Sequence, residues 1–288
     1  MRVTFYGVRG SCPAPGPDTA RHGGNTSCVA ARLADGTILV FDAGTGIRQL
    51  GSELKAEGYS LPIHLLLSHT HWDHIIGLPF FEPLWDPDTH LVIHPLTNNR
   101  QERFRWKPTI FDEIHFPVPA ADIPCRMELA DHPRGQWKIG SATVLRVPLN
   151  HPGGAQGFRI EDSDGSVFCY LTDHEIRPPG PQTTAVEDLA QFAAGADVAV
   201  CDAQYMPGDM PDKHGWGHSL VEDVLRFGQL AQPKKLVLFH HDPDRTDDAL
   251  DEIERWANEW MTERQVPTEV ICASEGLQLD LPLRRPGP

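Results

Sequence analysis

The chain has 288 residues, 40% of them apolar and 23% charged, a globular balance that supports a full core and excludes a disordered or fibrous class. Asp and Glu number 40 against 25 Lys and Arg; the net charge of −15 repels a polyphosphate backbone and speaks against a broad nucleic-acid-binding face. No apolar run approaches the roughly 18 residues of a membrane span, and Met1 to Arg9 alternates like a strand, so the reading is a cytoplasmic protein with no membrane partner.

In chain order, alternation predicts strands at Val3–Val8 and Ser27–Leu33, an Asp35-Gly36 turn and a strand at Thr37–Phe41. A helix over Ile47–Glu57 and a strand at Ile63–Leu67 follow, then a helix from Ile76. Next come β-rich stretches at Cys125–Ala130, Gln136–Val147 and Gly157–Thr172. The remainder alternates: helix Thr184–Ala194, strand Asp197–Cys201, helix Leu220–Leu230, strand Lys235–Phe239, helix Asp247–Glu263 and strand Glu269–Ile271. A chain that twice builds an antiparallel sheet and then adds helices predicts an α/β fold of two packed sheets with helices outside. It reads as a single domain over residues 1–288, with an insertion at about 85–135 that forms a lid or an ordinary structured loop.

The six cysteines are scattered without a C-x-x-C pair and read as buried free thiols. The 15 histidines are the departure from average composition. Several fall in Ser68-His69-Thr70-His71-Trp72-Asp73-His74, directly after the apolar strand Leu65-Leu66-Leu67. Three imidazoles and a carboxylate so close together converge on metal only if the segment leaves strand geometry, which sends neighbours to opposite faces. His69 and His71 can then reach one ion while Asp73 and His74 reach another. Further metal-type side chains each end an apolar β run: His151 after Val144–Leu149, Asp173 after Cys169–Thr172, and His240 after Leu236–Phe239.

This constellation resembles the metallo-β-lactamase-fold hydrolase superfamily, whose order of motifs is matched from Asp42 through His240. The resemblance implies a four-layer αββα sandwich. It implies that His69, His71 and His151 hold a first divalent ion, that Asp73, His74 and His240 hold a second, and that Asp173 bridges them. Asp42, in Val-Phe-Asp-Ala-Gly-Thr-Gly, matches an aspartate that supports the metal loop by hydrogen bonding. Aspartate at the bridge argues against the β-lactamases that carry cysteine there. Histidine and carboxylate donors suit zinc, with manganese or iron as alternatives at the oxygen-richer second site. A homodimer is expected by analogy with relatives.

The loop Gly7-Val8-Arg9-Gly10-Ser11-Cys12-Pro13, the segment His22 to Cys28 and Gly217-His218-Ser219 resemble the branch containing ribonuclease Z and the phosphoribosyl cyclic phosphodiesterase. In that branch the histidine of the last motif protonates the leaving oxygen. On chemical grounds too, phosphodiester hydrolysis needs a proton for the departing alkoxide, and His218 suits that role, with Ser219 as helix N-cap. Asp202, ending Val-Ala-Val-Cys-Asp, is positioned to orient His218 or a metal-binding imidazole, or is a plain strand-end aspartate. Asn25, Thr26 and Ser27 are candidate donors to substrate oxygens or members of structural turns. His174, His214 and His241 have no place in the metal scheme and read as exposed or supporting.

The implied activity is a dinuclear metal-dependent phosphodiesterase in which a metal-bridging hydroxide attacks, with Asp73 and His218 as catalytic residues. The tRNA-clamping arm of ribonuclease Z lies between the counterparts of His151 and Asp173. Here those two are 22 positions apart, most of them taken by a hairpin, so a small phosphodiester such as a cyclic nucleotide or cyclic sugar phosphate is the expected substrate and large nucleic acid is not. The alternatives are a carboxylic-ester, thioester or lactone hydrolase with the same two ions, and a low-turnover metal-bearing sensor.

Overall fold

The structure is a computed structural model that describes residues 1–94, 110–111, 113–130 and 135–282. Strand alternation sets its layers. Along Ile38–Phe41 (β3) Leu39 and Phe41 face one apolar cluster while Ile38 and Val40 face another. A strand apolar on both faces must be covered on both, which requires a sheet sandwiched between another sheet and a helix.

The first sheet has the order β14-β1-β2-β3-β4-β5-β6, where β1 is Arg2–Gly7, β2 Cys28–Arg32, β4 Ile63–Leu66, β5 His90–His94, β6 Arg126–Leu129 and β14 Gln278–Asp280. The second runs β13-β12-β11-β10-β9-β8-β7, with β7 Gln136–Ile139, β8 Ala142–Leu149, β9 Ala155–Glu161, β10 Val167–Leu171, β11 Val198–Asp202, β12 Lys235–Phe239 and β13 Glu269–Cys272. Each sheet starts antiparallel and turns parallel, from β3 to β6 in one and from β10 to β13 in the other. Helix α1 (Ile47–Glu57) covers the outside of the first sheet. Helices α3 (Val186–Ala193), α4 (Val221–Ala231) and α5 (Asp247–Glu263) cover the second, completing a four-layer αββα arrangement. Among the described residues no helix is long and apolar enough to cross a membrane.

Three expectations change. The helix expected from Ile76 lies earlier, as the single turn α2 (Trp72–Ile75), because Gly77 and Pro79 turn the following chain into a short 3-10 segment. Strands β5 and β14 are additional to those expected: β5 pairs with β4 and β6, and β14 with β1, so long-range pairing and not a local pattern makes them strands. Of the segment at about 85–135, residues 95–109, 112 and 131–134 lie outside the described residues. Its described ends include β5 and β6, which pair in parallel as integral strands of the first sheet.

The inter-sheet layer is built on aromatic rings. Phe41 has ring centroids 5.9 Å from Phe158, 5.3 Å from Phe168 and 5.2 Å from Tyr170, all fully buried. Phe41→Ala is expected to lower unfolding stability by about 3–5 kcal/mol, the range for a buried phenylalanine that leaves an uncollapsed cavity; urea titration followed by circular dichroism measures it.

Candidate metal centre

The candidate residues gather where strands of both sheets end at their carboxyl ends. Asp42 follows β3, His69 to His74 follow β4, His151 follows β8, Asp173 follows β10, Asp202 ends β11 and His240 follows β12. Three of them, Asp42, Asp173 and His240, adopt left-handed backbone conformations with φ of 61°, 55° and 60°. Such a residue takes its side chain out of the alternation of the strand before it, at a cost of about 1–2 kcal/mol each.

The donors fall into two clusters that share Asp173, and a third group, Asp202 and His218 with His240 and Asp173, overlaps the second. In the first, His151 Nε2 lies 3.0 Å from His71 Nδ1 and 3.6 Å from Asp173 Oδ2, and His69 Nε2 lies 3.4 Å from the same oxygen. In the second, His74 Nε2 and His240 Nε2 lie 3.2 Å apart, and each is 3.0 to 3.2 Å from Asp73 Oδ2 and Asp173 Oδ1. His71 sits on the extended residue before α2, and Asp73 and His74 lie on the helical turn itself, so a loop followed by one turn brings the motif together.

Both clusters fit divalent ions. Imidazole nitrogens as close as His74 Nε2 and His240 Nε2 can hold only one proton between them, and His69 Nε2 is buried without a hydrogen bond. A tetrahedron with metal–ligand bonds of about 2.0–2.1 Å has donor separations of about 3.3–3.4 Å, close to those found. Burial opposes a charge on His74, but Asp173, Asp73 and Asp42 outweigh it and push that imidazole up, so the second cluster draws positive charge, which a divalent ion would supply in place of the proton. Burial holds the His69 imidazole well below its usual value, in the neutral form that ligates. Burial pushes the Asp173 carboxyl up, but His240, His74 and His69 outweigh it and keep it ionised.

Supporting contacts fix these side chains. The Asp42 carboxylate is fully buried and accepts four hydrogen bonds: from Ser68 N at 2.6 Å, Ser68 Oγ at 2.7 Å, His74 Nδ1 at 2.8 Å and the Tyr170 hydroxyl at 2.9 Å. With Nδ1 donating, His74 presents the Nε2 lone pair to the second cluster. His151 Nδ1 donates to the Gly217 carbonyl at 3.0 Å. Gly217 has φ of 93°, and a Cβ there would stand 2.3 Å from that imidazole, so glycine is required.

His218 stacks on His240 with centroids 4.9 Å apart and meets His151 edge-on at 5.4 Å. Its Nδ1 bonds Asp202 Oδ2 at 2.6 Å. Burial opposes the charged form, but Asp202, Asp173 and Asp73 outweigh it and hold the imidazole up at about 9. Ser219 does not cap α4: the residue before the helix is Leu220, and the Ser219 hydroxyl donates to His174 O and accepts from Ile176 N, tying that loop beneath His218. Glu175 holds the turn by accepting from Gly215 N and Gly217 N.

Asn25 is engaged inside the protein, both its backbone and side-chain nitrogens donating to Glu275, and Thr26 exchanges hydrogen bonds with Thr45. Ser27 is fully buried. His174 and His241 are buried rather than exposed: His174 Nδ1 accepts from Asn150 N, and His241 Nε2 donates to Ala273 O. His214 is the exposed one of the three, with Nε2 near Arg177 O. Tyr170, Ser68, Glu175 and Gln204 escape a reading of the sequence. Only Tyr170 carried a signal there, a polar tip on an otherwise apolar strand.

Metal-loaded protein is expected to retain two zinc ions per chain after dialysis. His151→Ala and His74→Ala should each retain one, and Asp173→Ala fewer than one, by inductively coupled plasma analysis of protein of known concentration.

Comparison with known proteins agrees with this geometry. Residues 37–241 match the family described as the Beta-lactamase superfamily domain. A ribonuclease Z of Halorubrum lacusprofundi is 27% identical over 280 residues, covering 83% of this chain and 86% of its own. The metallo-beta-lactamase fold protein YhfI from Bacillus subtilis has the same fold at a TM-score of 0.69 and 19% identity, covering 96% of this chain and 98% of that one. A diphosphatase from the PhnP family gives 0.66 and 20%, covering 98% of each chain. With most of its length matched and two His/Asp clusters where the strands end, the chain belongs to the metallo-β-lactamase-fold superfamily.

Proposed function

We propose that this protein is a dinuclear, zinc-dependent phosphodiesterase acting on a small phosphodiester of the size of a cyclic nucleotide or cyclic sugar phosphate. The observation that carries the proposal is His218, paired with Asp202 and stacked on His240 beside the second cluster. Two divalent ions, when bound, supply an ionised water as nucleophile and neutralise charge on the phosphate. The protein's own part is the proton. With Nδ1 held by the buried Asp202 carboxylate, His218 keeps Nε2 for the departing alkoxide, and the dyad resists rotation of the ring. Burial opposes the charge, but Asp202 first and then Asp173 and Asp73 outweigh it and hold this imidazole in the protonated form that can donate. Asp73, His74 and His240 would hold one ion and His69, His71 and His151 the other, with Asp173 within reach of both sets.

Two observations support a small substrate. The net charge of −15 leaves a long polyanion unattracted. The interval between His151 and Asp173 is occupied by β9 and β10, an antiparallel pair within the second sheet, with no room for a long arm. The relative named ribonuclease Z supports phosphodiester chemistry while leaving the size of the substrate to these features. Cys12, Cys28, Cys169, Cys201 and Cys272 are free thiols, which suits a reducing cytoplasm.

The test compares zinc-loaded protein on bis-p-nitrophenyl phosphate, p-nitrophenyl butyrate and nitrocefin. The phosphodiester is expected to turn over, and on a cyclic nucleotide, whose alkoxide leaving group needs the proton, His218→Ala is expected to lower kcat by about 10²–10⁴-fold with two zinc ions retained. An inert phosphodiester beside a hydrolysed ester or lactam, or unchanged turnover of the cyclic nucleotide in His218→Ala, contradicts the proposal.

A further inference from the structure

We propose that Gln204, linked to Ser11, is a positioning residue that sets the affinity of the second metal site alone. The inference rests on the reading of Asp73, His74, Asp173 and His240 as ligands, and concerns what holds two of them. Gln204 is buried, and its Oε1 lies 3.0 Å from His240 Nδ1. An amide oxygen only accepts, so Nδ1 carries the proton and Nε2 presents its lone pair to Asp73, Asp173 and His74. The other end of the same amide, Nε2, donates to Ser11 Oγ at 3.1 Å, which fixes the orientation of the Gln204 side chain. Ser11 has a second branch: its backbone N donates at 2.8 Å to Asp73 Oδ2, the oxygen that faces His74 and His240. One residue of the first loop therefore reaches two ligands of one cluster, His240 through an amide and Asp73 directly.

The loop is seated to do this. Gly10 N donates to His241 O, and His241 N to Val8 O, so the loop runs along the chain that carries His240. A Cβ on Gly10 would stand 2.3 Å from His240 Nδ1, so the backbone passes against the imidazole where any larger residue would displace it. The buried Arg9 guanidinium anchors the loop to the carbonyls of Gly23, Asp242 and Arg245. The first cluster is oriented by other groups, His69 Nδ1 by Ser68 Oγ and His151 Nδ1 by Gly217 O. A change at Gln204 should accordingly be felt at one ion only.

Zinc affinities are measured by competition with a chromophoric chelator for wild type, Gln204→Met, Gln204→Glu and His240→Ala, with the visible absorption of the cobalt-substituted forms as a second readout. Gln204→Met is expected to weaken one of the two ions by about 10–100-fold, leave the other within threefold, and alter the cobalt band of the weakened ion. Gln204→Glu, which still accepts from Nδ1, should recover most of that loss. Two ions at wild-type affinity in Gln204→Met, or equal weakening of both, overturns the proposal. Should Gln204→Met lower the melting temperature of the metal-free protein, Gln204→Ala replaces it: Glu binding the second ion at least tenfold more tightly than Ala supports the inference, and equal affinities refute it. Retention of both ions by His240→Ala identifies a failure of the ligand assignment itself, and the proposal falls with it.

Discussion

One buried carboxylate organises this molecule. Asp173 is 1% exposed and has imidazoles of His69, His74, His151 and His240 within 3.6 Å of its oxygens. An ionised carboxylate removed from water costs several kcal/mol unless it is matched by opposite charge and hydrogen bonds. Here the match comes from residues scattered over more than half the chain, and two sheets must end at the same edge for them to meet. The antiparallel-then-parallel plan of each sheet delivers that edge, since parallel strands bring successive carboxyl ends to one side. The surroundings follow from the same demand: Asp42 fixes His74, Gly217 fixes His151, and Gln204 reaches His240.

Much of this was legible in the sequence because metal ligands have few chemical substitutes and sit at the ends of conspicuous apolar runs. The apolar runs mark His151, Asp173 and His240 as candidates beside the motif of His69, His71, Asp73 and His74; their division into two sets is what the family resemblance implies, and the structure draws each set together. Burying an aspartate or histidine is costly enough to leave a pattern. Supporting contacts leave none. Gln204 is a common residue two positions past Asp202, Ser11 acts partly through its backbone N–H, and Gly217 contributes a carbonyl. The misplaced N-cap shows the same limit from the other side. Serine before a helix has an obvious local partner, yet the Ser219 hydroxyl serves residues 43 to 45 positions earlier, which no local rule anticipates.

The fold errors have a related cause. Strand β5 is recruited by its parallel neighbours β4 and β6, and β14 by β1, a strand some 270 residues earlier, so tertiary pairing and not local propensity makes them strands. The helix at Trp72 is too short to be stable by itself and exists because His71 enters it extended while Asp42 holds His74 from outside. Local structure around the centre is imposed by the centre's own contacts.

The left-handed backbone at Asp42, Asp173 and His240 bears on how such a protein can change over generations. Outside glycine, that conformation is entered most readily by aspartate, asparagine and histidine, and hardly at all by β-branched residues. Two filters thus act on these three positions, one from side-chain chemistry and one from backbone geometry, and aspartate and histidine pass both. A lineage that abandoned metal chemistry would still find valine or isoleucine barred there. Glycine or asparagine would serve the backbone there equally well, so aspartate or histidine kept at these strand ends in a distant descendant testifies to the donor role and not to the shape of the chain alone.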